Sequence, residues 1–343
     1  MPLTEDEKIG WTVNTYDGVV ANGTPVAKGK NAANYVDNFF SDQDSSYIIG
    51  VKAGDAETIY IATADSTVVS KPGASTPGAP VERHEHNGKT FVPWSANSIK
   101  DLGNGNSNIL AGSYYLTEDV TAGTELIVSS GTVDICLNGH TFDLNGKAFF
   151  LESGAELNIY DCDANQSTGK ITNGGGHHAG DNKKGGAVYV KGSTLNLYGG
   201  SLEGNKADWG GAIFIDASEA TSTVNMYGGV IQNNTARYGG GGIEVENAPS
   251  GAISGSFFTM SGGSIINNKV TEVNSGLHKG GGVHFNQAGM TIDGTVNITG
   301  NTVAGVENNV YLRNNRTITV TSSIGDGSRI GISAEAIEKY PST

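Results

Sequence analysis

The sequence predicts an all-β protein: a right-handed parallel β-helix preceded by a small N-terminal α+β module. Three observations predict it. A glycine doublet leading into an apolar strand occurs four times, as Gly-Gly-Ala-Val-Tyr-Val from Gly185, Gly-Gly-Ala-Ile-Phe-Ile from Gly210, Gly-Gly-Gly-Ile-Glu-Val from Gly240 and Gly-Gly-Gly-Val-His-Phe from Gly280. A second doublet interleaves with it, in Leu-Asn-Leu-Tyr-Gly-Gly from Leu195, Val-Asn-Met-Tyr-Gly-Gly from Val224 and Phe-Thr-Met-Ser-Gly-Gly from Phe258, with a degenerate copy between Met290 and Asn301. Asn205, Asn234, Asn268 and Asn301 return at one place in that second motif. Repeats of this length mark a solenoid, in which no unit buries its apolar face alone.

Each element of the rod follows from its residues. Leu195 and Leu197 point to one face, Asn196 and Tyr198 to the other. Val224 with Met226 and Phe258 with Met260 repeat the pattern. Period-two alternation with glycine punctuation is a strand pattern. The doublets suit corners that need positive φ or close backbone approach. The asparagines share one corner, where stacked amides can form a hydrogen-bonded ladder. Successive first doublets lie 25, 30 and 40 residues apart. About 25 residues suffice for a coil of three short strands, so the surplus is expected outside as loops. Upstream, Ser113–Val120, Glu125–Ser129, Thr132–Leu137, His140–Leu144 and Ala155–Tyr160 read as strands of the same solenoid. Asn309–Val320 and Ser328–Ser333 read as its last strands. The rod is expected over residues 94–333, with room for roughly eight coils at ~4.8 Å each.

The flanking segments differ. Residues 1–70 carry strand patterns at Trp11–Val20, Tyr47–Val51 and Thr58–Ala62 and a short amphipathic helix pattern at Asn31–Phe40. Such a module can cap the open end of a solenoid, anchor it or oligomerise it, as a homotrimer for instance. Residues 71–93, opening on Pro- and Gly-dense sequence, read as a linker. Residues 334–343 read as a tail.

Composition narrows the function. The 343 residues carry a formal net charge of −14 with 21 Lys and Arg. Those cations are scattered, which excludes a nucleic-acid groove. No stretch is long and apolar enough to span a bilayer. The acidic balance fits an extracellular, cell-surface or virion-surface protein. Cys136 and Cys162 are 26 residues apart, about one coil, and read either as a disulfide or as buried thiols. His84-Glu-His86 reads as a solvated H-x-H pair beside the linker. The doublets precede strands and lack a Lys-Ser/Thr ending, so they are not phosphate loops. No cofactor and no metal are expected.

The segments before each first doublet are expected to be loops stacked on one side of the rod. They offer His177, His178, Asp181, Lys184, Asp208, Trp209, Arg237, Tyr238, His278 and Lys279, with Glu244 beside them. Aromatic rings next to carboxylates and guanidinium are what a sugar-binding groove uses. Asp208 and Glu244, in adjacent coils, are the pair to consider for glycoside hydrolysis, which needs two carboxyl groups at a set separation, and Asp181 is another candidate. Acidic residues meet by chance in a chain with 35 of them, so a non-enzymatic role is favoured.

The motif Gly-Gly-Ala-Val/Ile at Gly185 and Gly210, with an apolar-x-x-Asn at Leu202–Asn205, Ile231–Asn234 and Ile265–Asn268, resembles the GGA(I/V) and FxxN repeats of chlamydial polymorphic outer-membrane proteins. The passage from Gly112 to Asn145 and His86-Asn-Gly-Lys-Thr-Phe-Val-Pro-Trp94 are similar to β-helix modules of gut Firmicutes surface proteins. The resemblance covers about residues 84–333. It implies the pectin-lyase-like superfold and an adhesin-like role contacting glycan or host surface, and it transfers no catalytic residue. Residues 1–70 fall outside it, which leaves a virion fibre or decoration protein, anchored by that module, as the alternative. A carbohydrate-active enzyme is the third reading.

Overall fold

The computed structural model of the protein describes residues 84–162, 169–218, 220–246, 256–272, 279–285, 290–313 and 317–334, and four strands before them. The chain divides into two compact units, Met1–Arg83 and His84–Thr343. In the first, Trp11–Asp17, Tyr47–Ala53, Ala56–Ala62 and Val68–Ser70 form an antiparallel sheet in sequence order. The helix expected over 31–40 and the tail beyond Ala334 lie outside the described residues. No helix among the described residues is long and apolar enough to cross a membrane.

The second unit is the predicted parallel β-helix. Sheet I has ten strands. Its parallel stack runs through Asn106–Ile109, Glu125–Val128, Phe149–Leu151, Val188–Lys191, Ile213–Asp216, Ile243–Val245, Val283–Phe285, Val310–Leu312 and Ile332–Ala334. Sheet II has sixteen strands in two parallel flanks that merge in the long strands Ser256–Ile266 and Met290–Thr299. Sheet III has seven. The repeats align as their pattern requires: Leu195, Val224, Phe258 and Met290 stack in register, as do Leu202, Ile231, Ile265 and Ile298. These side chains are sealed from solvent and, with Phe142, Phe149 and Phe285, fill the cylinder. Each coil adds its apolar stripe to one continuous core.

Two columns fix the coil-to-coil spacing. Asn205, Asn234, Asn268 and Asn301 are fully buried in single file. The Oδ1 of Asn234 accepts from the backbone N–H (2.9 Å) and Nδ2 (3.0 Å) of Asn205, and the Oδ1 of Asn268 accepts from the same two groups of Asn234 at 3.0 and 2.9 Å. Asn301 and Asn309 continue the file. Each amide also donates to a backbone carbonyl of the preceding coil, those of Ile171, Leu202, Ile231 and Ile265. The residue before each of these asparagines, in turn Gly204, Asn233, Asn267 and Gly300, sits at φ between 56° and 71°. Glycine and asparagine tolerate that region best. The second column is the doublets: a Cβ on Gly186 would lie 1.9 Å from the carbonyl of Gly211, and one on Gly211 would lie 2.1 Å from that of Gly241. Only glycine lets the coils close there.

Sheet II carries two further outward ladders. Asp134, Asn158, Asn196 and Asn225 are linked side chain to side chain at 2.7–2.8 Å. Tyr160, Tyr198 and Tyr227 stack face to face at 4.7 and 4.8 Å, the distance between coils.

The start of the rod corrects the expected boundary. Residues 84–93, expected in the linker, form a hairpin, His84–His86 with Lys89–Pro93, around an Asn87-Gly88 turn with φ of 50° and 75°. Asn-Gly is the preferred type I′ pair because both positions need positive φ. The hairpin joins sheet II through Val92 and Pro93, which pair with Tyr114 and Tyr115. Trp94 then packs edge-on against Tyr114 and Phe142 at 5.6 and 5.4 Å. A second hairpin, Ile99–Gly103 with Asn106–Ile109, starts sheet I. The first coil is therefore covered from within the rod unit, by residues 84–109.

Candidate functional site

The first three segments expected to be loops on one face contain strands, and the fourth, 270–279, is strand only at Val270, with 273–278 outside the described residues. His177–Ala179, Asn182–Lys184, Lys206–Trp209, Thr235–Gly239 and Lys269–Val270 are successive members of sheet III. Their residues are mostly polar, and backbone pairing to the next coil holds them: Lys206 pairs with Thr235, and Thr235 with Lys269. Sheet III lies against an outward row of sheet I made of Phe150, Tyr189, Phe214, Glu244, His284 and Tyr311, one residue per coil in register.

Most of the predicted face residues are held by that row or by each other. The His177 ring stacks on Phe150 at 4.2 Å and its Nδ1 lies 2.7 Å from Glu125 Oε1. Lys184 Nζ donates to Glu246 (2.8 Å) and sits 4.4 Å over the Phe214 ring. Lys279 Nζ donates to the Tyr311 hydroxyl at 2.6 Å. Asp208 accepts the backbone N–H of Lys183 at 2.8 Å. Trp209 and Tyr238 lie 5.3 Å apart, and Arg237 lies 4.7 Å over Tyr238 while its Nε meets Glu272 at 2.5 Å. His178 and Asp181 are exposed on the hairpin that opens the sheet. His278 lies outside the described residues.

Glu244 is not on the open face. It is buried with His284, whose Nδ1 lies 2.9 and 3.0 Å from its two oxygens. Burial pushes the Glu244 carboxyl up, against the pull of the imidazole. The sequence shows the pair in hindsight: Gly-Gly-Gly-Ile-Glu-Val and Gly-Gly-Gly-Val-His-Phe put complementary groups at one position of neighbouring coils. Asp216, at the end of its sheet I strand, has the opposite balance. Burial raises its carboxyl, but hydrogen bonds from Ser218 and the Tyr189 hydroxyl, with the Lys184 charge, outweigh burial and leave it below its ordinary value of 3.8. A depressed carboxyl contributes stability above its unfolded pKa and loses it as pH falls through the lower folded value. The melting-temperature deficit of Asp216→Asn should therefore be level from pH 8 to about pH 5 and shrink below about pH 4. A deficit that grows with acidification contradicts the assignment.

A second cluster lies on the outward side of sheet II. Cys136 pairs in register with both Tyr115 and Tyr160, so it interrupts the aromatic column with a small side chain. The first hairpin packs over that gap. Its His84 ring stacks on Tyr115 at 4.3 Å and its His86 ring on Tyr160 at 4.9 Å. Residues two apart on a strand share a face, so both imidazoles reach the gap while Glu85 is exposed. There they meet Cys136 and Cys162. Cys162 Sγ is 3.1 Å from the Nε2 of each histidine and 3.3 Å from Cys136 Sγ, and the two Nε2 atoms are 3.1 Å apart. Both cysteines are free. Lys89 clamps the hairpin through Asp134, 3.0 Å from both carboxylate oxygens. Burial pushes both thiols up, and it pushes the imidazoles of His84 and His86 down. From the sequence, the histidines read as solvated loop and the cysteines as lacking further ligands; the hairpin is what unites them. The signal that finds it is His-x-His ahead of Asn-Gly-Lys-Thr-Phe-Val, a hairpin pattern.

No family model matches the chain, and neither a curated protein nor a solved structure matches it significantly.

Proposed function

We propose that the protein is a non-enzymatic β-helical surface protein that contacts glycans through the edge around Trp209 and Tyr238. The observation that supports this best is the geometry of that edge. Two half-buried rings from adjacent coils lie 5.3 Å apart, with the exposed Arg237 guanidinium over one of them. Ring faces pack on the apolar faces of sugars, and a guanidinium or carboxylate fixes hydroxyls. A binding role is favoured over hydrolysis because the two carboxyl groups in adjacent coils are engaged: Glu244 is sealed with His284 and Asp208 accepts a backbone N–H. Hydrolysis needs two carboxyl groups flanking the scissile bond, one able to donate a proton. On this reading, Met1–Arg83 attaches the rod to its cell or particle.

A glycan array probed with the full chain tests the reading. A subset of glycans is expected to be retained. Trp209→Ala and Tyr238→Ala should each weaken binding about tenfold or more, because truncating a central aromatic removes most of a small contact. Phe257→Ala, exposed on sheet II, should leave it unchanged. An array with no retained glycan contradicts the proposal, as does release of new reducing ends abolished by Glu244→Gln.

A further inference from the structure

We propose that His84, His86, Cys136 and Cys162 form a closed tetrahedral site for one Zn²⁺ ion that staples the first hairpin to the coils beneath it. The argument begins with donor identity. Two thiols and two imidazoles are the S₂N₂ set of structural zinc sites. All four donor atoms lie within 4.8 Å of one another. With Zn–S of about 2.3 Å and Zn–N of about 2.0–2.1 Å, a tetrahedron has donor separations of roughly 3.3–3.8 Å. Four of the six separations, the three from Cys162 Sγ and the one between the two Nε2 atoms, are 3.1–3.3 Å, at or just below that range.

Competing arrangements fit less well. A two-iron cluster with the same donors would hold the thiolates on one iron and the imidazoles on the other. Here a single thiol, that of Cys162, sits 3.1 Å from both imidazole nitrogens, which points to one shared ion. A disulfide would use the two sulfurs alone and leave two ring nitrogens facing each other at 3.1 Å with no role. Binding would release two thiol protons, and the two thiolates would neutralise the ion. A neutral complex suits a site whose Cys136 is fully buried.

The surrounding residues supply support that a chance cluster lacks. Tyr115 and Tyr160 fix the two ring planes by stacking, and Phe91 packs against both imidazoles at 5.7 and 4.9 Å. Cys136 and Cys162 come from neighbouring coils, and the histidines from a hairpin 76 and 78 residues from Cys162. All four ligands are protein groups, which leaves no open position for substrate. The role is therefore structural: the ion locks the cap onto the rod.

The full chain, purified under reducing conditions and stripped of metal, is titrated with Zn²⁺ and separately with Co²⁺. The expected result is one equivalent of Zn²⁺ bound with a dissociation constant in roughly the nanomolar range or tighter. Co²⁺ should give the visible bands of a tetrahedral ion and a thiolate-to-cobalt charge-transfer band. Zn²⁺ should raise the melting temperature by roughly 5–15 °C and slow amide exchange across residues 84–93 more than along the asparagine column. His84→Ala and Cys162→Ser change half-buried or exposed positions, so the variants are expected to fold. Each should lose the charge-transfer band or weaken binding at least about a hundredfold. Zn²⁺ affinity weaker than about micromolar, octahedral Co²⁺ spectra or unchanged binding in the His84→Ala/Cys162→Ser double variant would each overturn the proposal. Failure of the glycan array leaves this test untouched.

Discussion

Asn234→Ala is expected to lower stability by about 3–5 kcal/mol, a large effect for one polar side chain. Its Oδ1 satisfies the backbone N–H and Nδ2 of Asn205, and its Nδ2 donates to the Leu202 carbonyl and to Asn268. Truncation strands the buried backbone N–H of Asn205 and one hydrogen of its Nδ2, each worth about 1–3 kcal/mol when left without a partner. It also breaks a file in which each amide orients the next. Asn234→Asp keeps the size and the acceptor but turns the donor into a second acceptor facing Leu202 and Asn268. It should be at least as damaging at neutral pH and recover in part on acidification. Asn233→Gly is the control. Asn233 is exposed at φ 56°, its side chain donates to Glu203 across the surface, and glycine keeps its backbone bond to Ile266, so its replacement should stay within about 0.5 kcal/mol. Urea denaturation followed by circular dichroism measures all three. Equal losses at positions 233 and 234 would contradict the column.

Gly211→Ala is expected to be comparably severe, about 4 kcal/mol or more, for a steric reason. The added methyl would lie 2.1 Å from the Gly241 carbonyl and within 2.9 Å of the Thr235 backbone. Everything it meets is backbone, and that backbone is tied by Gly211 N–H to the Gly240 carbonyl at 2.9 Å. Relief requires opening two coils. Gly146→Ala separates this collision from conformational strain. Gly146 has φ 77° with open space where its Cβ would go, so only the left-handed penalty of about 1–2 kcal/mol applies. Denaturation of both variants should rank Gly211→Ala well below Gly146→Ala. A reversed order would mean that the doublets are merely flexible corners.

The parts of the fold that repeat were legible in the sequence, because repetition turns a local motif into a three-dimensional register. Leu195, Val224 and Phe258 occupy one motif position and therefore one column, and the recurring Asn205, Asn234 and Asn268 predict their own ladder. Sheet III was not legible. Lys-Ala-Asp-Trp and Thr-Ala-Arg-Tyr are short and polar, and what makes them strands is pairing with another coil. The candidate face was read as residue types, yet burial and partners decide what those residues do: Glu244 looked like an acid on a surface until His284 stood beside it. The Cys and His cluster was hidden by distance along the chain and by the composition of the segment before it. Proline and glycine upstream of His84 extended the apparent linker across a hairpin whose Asn87-Gly88 turn was visible.

A crystal structure of the full chain, at a resolution that separates side-chain amides, tests the central claim most directly. The account predicts Asn205, Asn234, Asn268 and Asn301 in one file, with the Oδ1 of Asn234, Asn268 and Asn301 each accepting from the asparagine of the preceding coil at the 2.9–3.0 Å found here. Density that places any two of them on different faces, or separated by a full side chain, would contradict it.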